Sequence, residues 1–209
     1  MGNDIYESGK LCRYGKIPGL EKPVSRMIFG TAIGPMIEGK NADELLDAAF
    51  AKGINTFDTA RGYGRAEESL GGWMKRRDNR EQVVVISKCG NCDSDGSVCV
   101  NRKVIETELA ESLQALQTDY IDIYLLHRDD PKTPVSEMIN ALNELQKEGK
   151  IKVFGVSNWA HERIEEANRY AKEHQLQGFS VSSPHFGLAE QIADPWGGNC
   201  VTITGKQNK

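Results

Sequence analysis

No stretch of this chain approaches the roughly 20 consecutive apolar residues that a bilayer-spanning helix requires. The opening segment, MGNDIYESGKLCRYGK, has no apolar core of the kind a secretory signal carries. Tyr6 stands where a myristoylation signal after Gly2 would need serine or threonine. A cationic excess is also missing. The 26 lysines and arginines stand against 30 aspartates and glutamates, a formal net charge of −4, which leaves no electrostatic footprint for nucleic acid or an anionic membrane. The longest basic run, Lys75-Arg76-Arg77, closes a helical pattern, where cations complement the helix dipole. Five cysteines are an odd count for a disulfide framework, so a reducing cytoplasm is the expected location. Internal repeats, low-complexity tracts and linkers are absent, and a single domain over residues 1–209 is expected.

Two further absences narrow the chemistry. Phe29-Gly30-Thr31-Ala32-Ile33-Gly34 fits the Gly-rich phosphate loop of an open dinucleotide-binding sheet poorly, which argues against that fold. Cys89 and Cys92 form a Cys-x-x-Cys in the loop after the third strand, and Cys99 follows. Zinc would need a fourth ligand that no neighbouring Cys or His pair supplies, so no metal is expected and the thiols read as free.

What is present is a regular alternation of strand and helix patterns. Residues 10–23 read as a hairpin turning at Gly15-Lys16, and Arg26 to Thr31 as a first buried strand. Asn41 with Glu44 suggests a capped helix ending at Gly53, its apolar face formed by Leu45, Leu46, Ala49 and Phe50. Ile54 to Phe57, Val83 to Ser87, Tyr120 to Leu126, Ile151 to Val156 and Phe179 to Ser182 supply five more strands. Helices are expected over Glu67 to Arg77, Arg102 to Leu116, Pro134 to Glu148 and Glu162 to Glu173. The uninterrupted β-branched and apolar strands predict a parallel sheet buried on both faces, with right-handed helical crossovers. The tail over 189–209 reads as a loop with one short extended piece.

Four side chains sit at strand ends or just after them: Asp58, Tyr63, Lys88 and His127. Taken singly, each has an ordinary explanation as a turn residue, a half-buried aromatic, a gatekeeper or a core-edge histidine. Their contexts are D-T-A-x-x-Y-G-x-x-E-x-x-L-G, V-x-I-S-K, D-x-x-L-L-H and G-V-S-N, in that order. Through these motifs the chain resembles the aldo-keto reductases from about Ser25 to Phe186. The resemblance implies an α/β fold of the (β/α)₈ TIM-barrel type, in which strand ends far apart in sequence meet at one mouth.

The resemblance also implies a function: NAD(P)H-dependent reduction of an aldehyde, ketone or sugar carbonyl, reversible with the same groups. Tyr63 would be the proton donor, Lys88 would favour its phenolate, Asp58 would hold the ammonium, and His127 would orient the carbonyl. Ser157-Asn158 match the pair that grips the nicotinamide carboxamide. Thr31 and Asp58 are implied ribose-side contacts, and Ser183 stands where the family often has a glutamine near the nicotinamide. NADP(H) is the implied cofactor, preferred by most of the family over NAD(H). Several neighbours have plainer readings. Asn158 can also be an N-cap, Trp159 and Trp196 can line a pocket or pack in a core, and Phe186 reads as packing. Arg128, Asp129 and Asp130 read as a solvated loop.

The chain departs from the family pattern at its C-terminal side. A complete barrel needs roughly 250 residues, and no seventh and eighth strands follow here, so the barrel is expected to be incomplete, with about six strands. Three readings stay open: a truncated enzyme, a homo-oligomer that pairs its open barrel edges, and a non-catalytic scaffold for protein partners.

Overall fold

The computed structural model describes residues 12–91, 96–187 and 201. A small antiparallel ladder, β1 (Tyr14–Gly15) with β2 (Val24–Ser25), precedes the main sheet. The sheet strands are β3 (Phe29–Gly30), β4 (Thr56–Asp58), β5 (Val84–Cys89), β6 (Ile121–Leu126), β7 (Ile151–Ser157) and β8 (Val181–Ser183). They pair in parallel and in sequence order, forming a curled half-barrel. The helices are α1 (Gly34–Ile37), α2 (Asp43–Ala51), α3 (Ala66–Arg77), α4 (Arg102–Leu116), α5 (Val135–Lys147) and α6 (His161–Glu173). Strict alternation forces this order, since each crossover helix returns the chain beside the strand it left.

The sheet separates two cores. Between sheet and helices lie Phe57, Val85, Tyr124, Leu126, Phe154 and Val156 with the apolar faces of the helices. On the concave side Val84, Ile86, Ile123, Leu125 and Val153 pack with Ile17, Leu20 and Val24 from the N-terminal hairpin. The hairpin therefore closes the amino-terminal end of the half-barrel. Its Lys22 reaches Asp122 at 3.1 Å, an acid that Arg80 also meets at 2.9 Å and that accepts the Val85 amide at 3.0 Å.

Two glycines mark close approaches. A Cβ on Gly71 would lie 2.6 Å from the carbonyl oxygens of Ala115 and Leu116, so the last glycine of the Tyr63 motif lets α3 meet the end of α4. A Cβ on Gly155 would sit 2.0 Å from the Val181 carbonyl oxygen, which is the pairing that holds β8 to β7. Gly155→Ala is expected to cost about 3 kcal/mol, because the clash is with backbone and cannot be relieved by a rotamer change. Denaturant midpoints of the two proteins measure this, and a loss below about 0.5 kcal/mol would mean the β7–β8 contact is looser than described.

Several local expectations need correction. Gly15 lies in the hairpin's first strand, so the connection runs through residues 16–23 and not through a Gly15-Lys16 turn. Only Phe29–Gly30 of the first sheet strand joins the ladder; Met27 and Ile28 are exposed, because this strand is a sheet edge. Asn41 does not cap α2. Its Oδ1 accepts the Asp43 amide at 2.7 Å one residue outside the N-cap, Ala42. Leu45 is exposed beside the buried Leu46, and the short α1 was not anticipated. Cys89 belongs to β5 and is fully buried, not in a loop; burial pushes its thiol up to about 12. Cys99 is exposed, while Cys92, Trp196 and the tail from residue 189, except Val201, lie outside the described residues. In the last turn of α3, Arg76 and Arg77 pair with Asp43 and Asp47 of α2 at 2.6 Å each, which accounts for the basic run.

Candidate active site

Period-two alternation carries the inner face of the sheet from apolar to polar toward its carboxyl ends. On β5 the inner residues run Val84, Ile86, Lys88. On β6 they run Ile123 and Leu125 and lead to His127, and on β7 Val153, Gly155, Ser157. The registers Asp58↔Ile86, Lys88↔Leu125↔Gly155 and Ser157↔Ser183 then bring the polar ends to one level.

Lys88 is at the centre, with a side chain 4% exposed. Its ammonium has three protons and spends them on three partners: Asp58 Oδ1 at 2.6 Å, the Thr59 carbonyl oxygen at 2.9 Å and the Tyr63 hydroxyl at 3.4 Å. The Asp58 side chain is 25% exposed at the cavity wall. Tyr63, on the turn that enters α3, meets the His127 ring edge-on with centroids 5.6 Å apart. Behind β5, the buried Glu67 of the same motif accepts the Ser87 hydroxyl at 2.5 Å, one residue before Lys88. Burial raises the Glu67 carboxyl above its usual range, while the hydroxyls of Ser87 and Ser112 oppose the rise.

His127 follows β6 and its amide donates to the Cys89 carbonyl at 2.7 Å. Burial, then the charges of Lys88 and Arg128, pull its pKa down to about 3. The ring is thus neutral, and its Nδ1 is buried without a partner. A bare lone pair at that position is less costly than an unmet N–H, so the proton is assigned to Nε2. In the unfolded chain the imidazole takes its proton near pH 6.5. Between that pH and about 3 the unfolded state binds more protons, so stability is full above pH 6.5 and falls as the pH drops toward 3. The slope reaches ~1.4 kcal/mol per pH unit at most. Thermal melts at pH 7, 5 and 4 should show this loss in the native protein and a shallower one in His127→Gln; parallel curves would contradict it.

Asn158, in the left-handed region at φ 60°, does not cap α6, whose N-cap is Ala160. Its amide instead donates to the Ser157 hydroxyl at 2.8 Å and the His127 carbonyl at 3.3 Å, while its backbone N–H and the Ser157 hydroxyl both bond the Ser183 carbonyl. Ser157, Asn158 and Ser183 therefore form one patch across the β7–β8 ends. A cavity of about 590 Å³ opens on it and on Asp58, Tyr63, Lys88 and His127. Thr31 is set back from this cavity: its side chain is fully buried and its amide donates to the Asp58 carbonyl at 2.9 Å.

Around this group, other expectations changed. Of the two readings left open for Trp159 the core one holds, with its ring edge-on to Phe179 at 5.4 Å, whereas Phe186, expected to pack, is exposed. Arg128 and Asp130 are buried, and Asp129 pairs with Arg163 at 3.3 Å, so the segment is not a solvated loop. Arg128, Asn91 and His185 line the cavity without having been singled out for it. The adjacency of Arg128 to His127 was the one available signal. Among the described residues no group of three His, Cys, Asp or Glu side chains is placed to hold a metal, and no helix is long and apolar enough to cross a membrane.

Comparison with known proteins places this geometry in context. The family model described as "Aldo/keto reductase family" matches residues 26–194. Norsolorinic acid reductase B of Dothistroma septosporum is 35% identical over 68% of this chain and 39% of its own length. Aldo-keto reductase YhdN of Bacillus subtilis is 36% identical over 73% of this chain and 49% of its own. A probable voltage-gated potassium channel subunit beta of Oryza sativa subsp. japonica is 35% identical over 79% of this chain and 52% of its own. The chain thus spans about half the length, or less, of these relatives.

Proposed function

The chain belongs to the aldo/keto reductase family, and from that premise we propose that it is a nicotinamide-dependent carbonyl oxidoreductase interconverting a small aldehyde, ketone or sugar carbonyl with its alcohol. The observation that carries this reading is the buried Lys88 ammonium, bound to Asp58 and 3.4 Å from the Tyr63 hydroxyl beside His127. NADP(H) is the proposed cofactor on the family's usual preference, with NAD(H) as the alternative; when bound it supplies or takes up the hydride at the carbonyl carbon.

The residues present suit the nicotinamide end of such a group. Asn158 Oδ1 accepts no hydrogen bond among the described residues and stands beside the Ser157 hydroxyl at the cavity wall, so the pair can meet a carboxamide. Ser183 completes that patch, and we assign Asp58 and Thr31 to the ribose side, Thr31 through its hold on the Asp58 backbone.

The protein's own part is proton handling and orientation. The Nε2–H of neutral His127 donates to the substrate oxygen and fixes the carbonyl. As that oxygen gains charge, the Tyr63 hydroxyl passes its proton to it, and the Lys88 ammonium stabilises the phenolate left behind. Asp58 balances Lys88 while the phenol is protonated. In oxidation the proton returns to the Tyr63 oxygen.

Titration of the chain with NADPH, followed by quenching of tryptophan fluorescence, tests the reading. Saturation at micromolar concentration with aldehyde-dependent NADPH oxidation supports it, and a folded chain that binds no NADPH overturns it. The rice relative, named as a channel subunit, favours a second reading: a protein-binding scaffold. That reading predicts a folded chain that shows no carbonyl turnover. We also propose self-association through β3 and β8, which have one strand neighbour each among the described residues. Light scattering across a concentration series checks it, and a monomer throughout would sink it.

A further inference from the structure

Arg128 directly follows His127, lines the same cavity and is only 7% exposed. A buried guanidinium is costly unless an anion answers it, and it cannot escape by losing its proton. The acids nearest in sequence are already engaged. Asp129 meets Arg163 at 3.3 Å, and Asp130 accepts from the Val100 and Lys132 amides and the Thr133 hydroxyl. Asp58, the acid of the cavity wall, holds Lys88. Among the described residues Arg128 makes no ion pair. One terminal nitrogen reaches the His127 carbonyl at 3.3 Å, and its Nε is buried without a partner. His127 is neutral, so among the described residues that line the cavity Lys88, Asp58 and Arg128 leave one uncompensated positive charge.

We propose that Arg128 is a substrate-specificity residue that binds an anionic group, carboxylate or phosphate, carried by the carbonyl substrate. The proposal rests on the reductase reading of this cavity and narrows its substrates to oxo acids and phosphorylated aldehydes. The carbonyl oxygen would be held by His127 and the anion by the next residue, so the two groups lie a few bonds apart. A planar guanidinium suits either anion, because two parallel N–H groups can face two oxygens.

The test compares kcat/KM for 4-oxobutanoate against butanal, and for glyceraldehyde 3-phosphate against glyceraldehyde, in the native chain, Arg128→Gln and Arg128→Lys. Loss of a charge-assisted contact is worth roughly tenfold to hundredfold. At least one anionic member is expected to be preferred by about that factor, with the preference lost in Arg128→Gln and partly kept in Arg128→Lys. The pair that shows the preference identifies the anion. A ratio near one in the native chain, or an unchanged ratio in Arg128→Gln, overturns the proposal while leaving the reductase reading intact. Weaker NADPH affinity in Arg128→Gln with an unchanged ratio assigns the charge to the cofactor and likewise overturns it. Where no member of either pair is turned over, the reductase reading fails, and calorimetry with 4-oxobutanoate and glyceraldehyde 3-phosphate decides the inference. Binding of one of them weakened about tenfold in Arg128→Gln supports it; no binding, or equal binding, overturns it.

Discussion

Tyr63→Phe is expected to lower carbonyl reduction by about 10³-fold while leaving NADPH affinity nearly unchanged. The substitution removes one oxygen and keeps the ring, so the edge-on contact with His127 survives. Lys88 retains its two shorter bonds, to Asp58 and to the Thr59 carbonyl, and the wall of the cavity should hold its shape. The alkoxide would keep its hydrogen bond from His127 but lose its proton source, since a neutral imidazole is too weak an acid and burial with the cationic neighbours pulls the His127 pKa to about 3. Turnover in the variant above a few per cent of the native value would show that another group gives the proton. A misfolded protein, which would mimic this loss, is separated by the NADPH titration.

Lys88→Met is expected to be nearly as damaging, at about 10²-fold to 10³-fold in kcat. Without the ammonium the phenolate formed at Tyr63 has no adjacent cation, and Asp58 becomes an unbalanced anion beside it. Asp58 is 25% exposed, so water can take over its solvation and the fold should tolerate the change. The informative comparison is a double-mutant cycle. Asp58 acts on the phenol through Lys88, so Asp58→Asn alone should cost about tenfold, and adding it to Lys88→Met should cost little more. Fully additive losses would mean that Asp58 has a direct role, such as its proposed ribose contact, that outweighs its hold on Lys88.

These effects are large because the group is built from three strand ends and a turn, each rigidly placed. Glu67 and Ser87 brace β5 from behind, and the Gly155 approach brings β8 close enough for the Ser183 carbonyl to anchor Ser157 and Asn158. A change far from the chemistry, such as Gly155→Ala, should therefore weaken cofactor affinity together with stability.

The alternation of strands and helices was legible in the chain because apolar runs such as Val83 to Ile86 and Ile123 to Leu126 cannot be stable except between two covered faces. Helix α4 was readable to its ends, since Asn101 accepts the Val104 amide as an N-cap and Gln117 closes it in the left-handed region. The four candidate chemical residues stood in motifs that local order alone preserves. Other features were settled only by packing across the fold. Asn158 reads locally as a cap, yet the β8 backbone and the His127 carbonyl capture it. Leu45 and Ile28 look buried by pattern, but one lies on the outer side of its helix and the other beside a sheet edge. Arg128 looks solvated beside two acids, yet those acids are satisfied by Arg163, by backbone amides and by Thr133. Sequence determines periodicity and local hydrogen bonding, which act over a turn or a strand. Which charge remains unpaired in a cavity depends also on distant partners, such as Arg163 for Asp129 and Val100 for Asp130, and only the tertiary structure decides that.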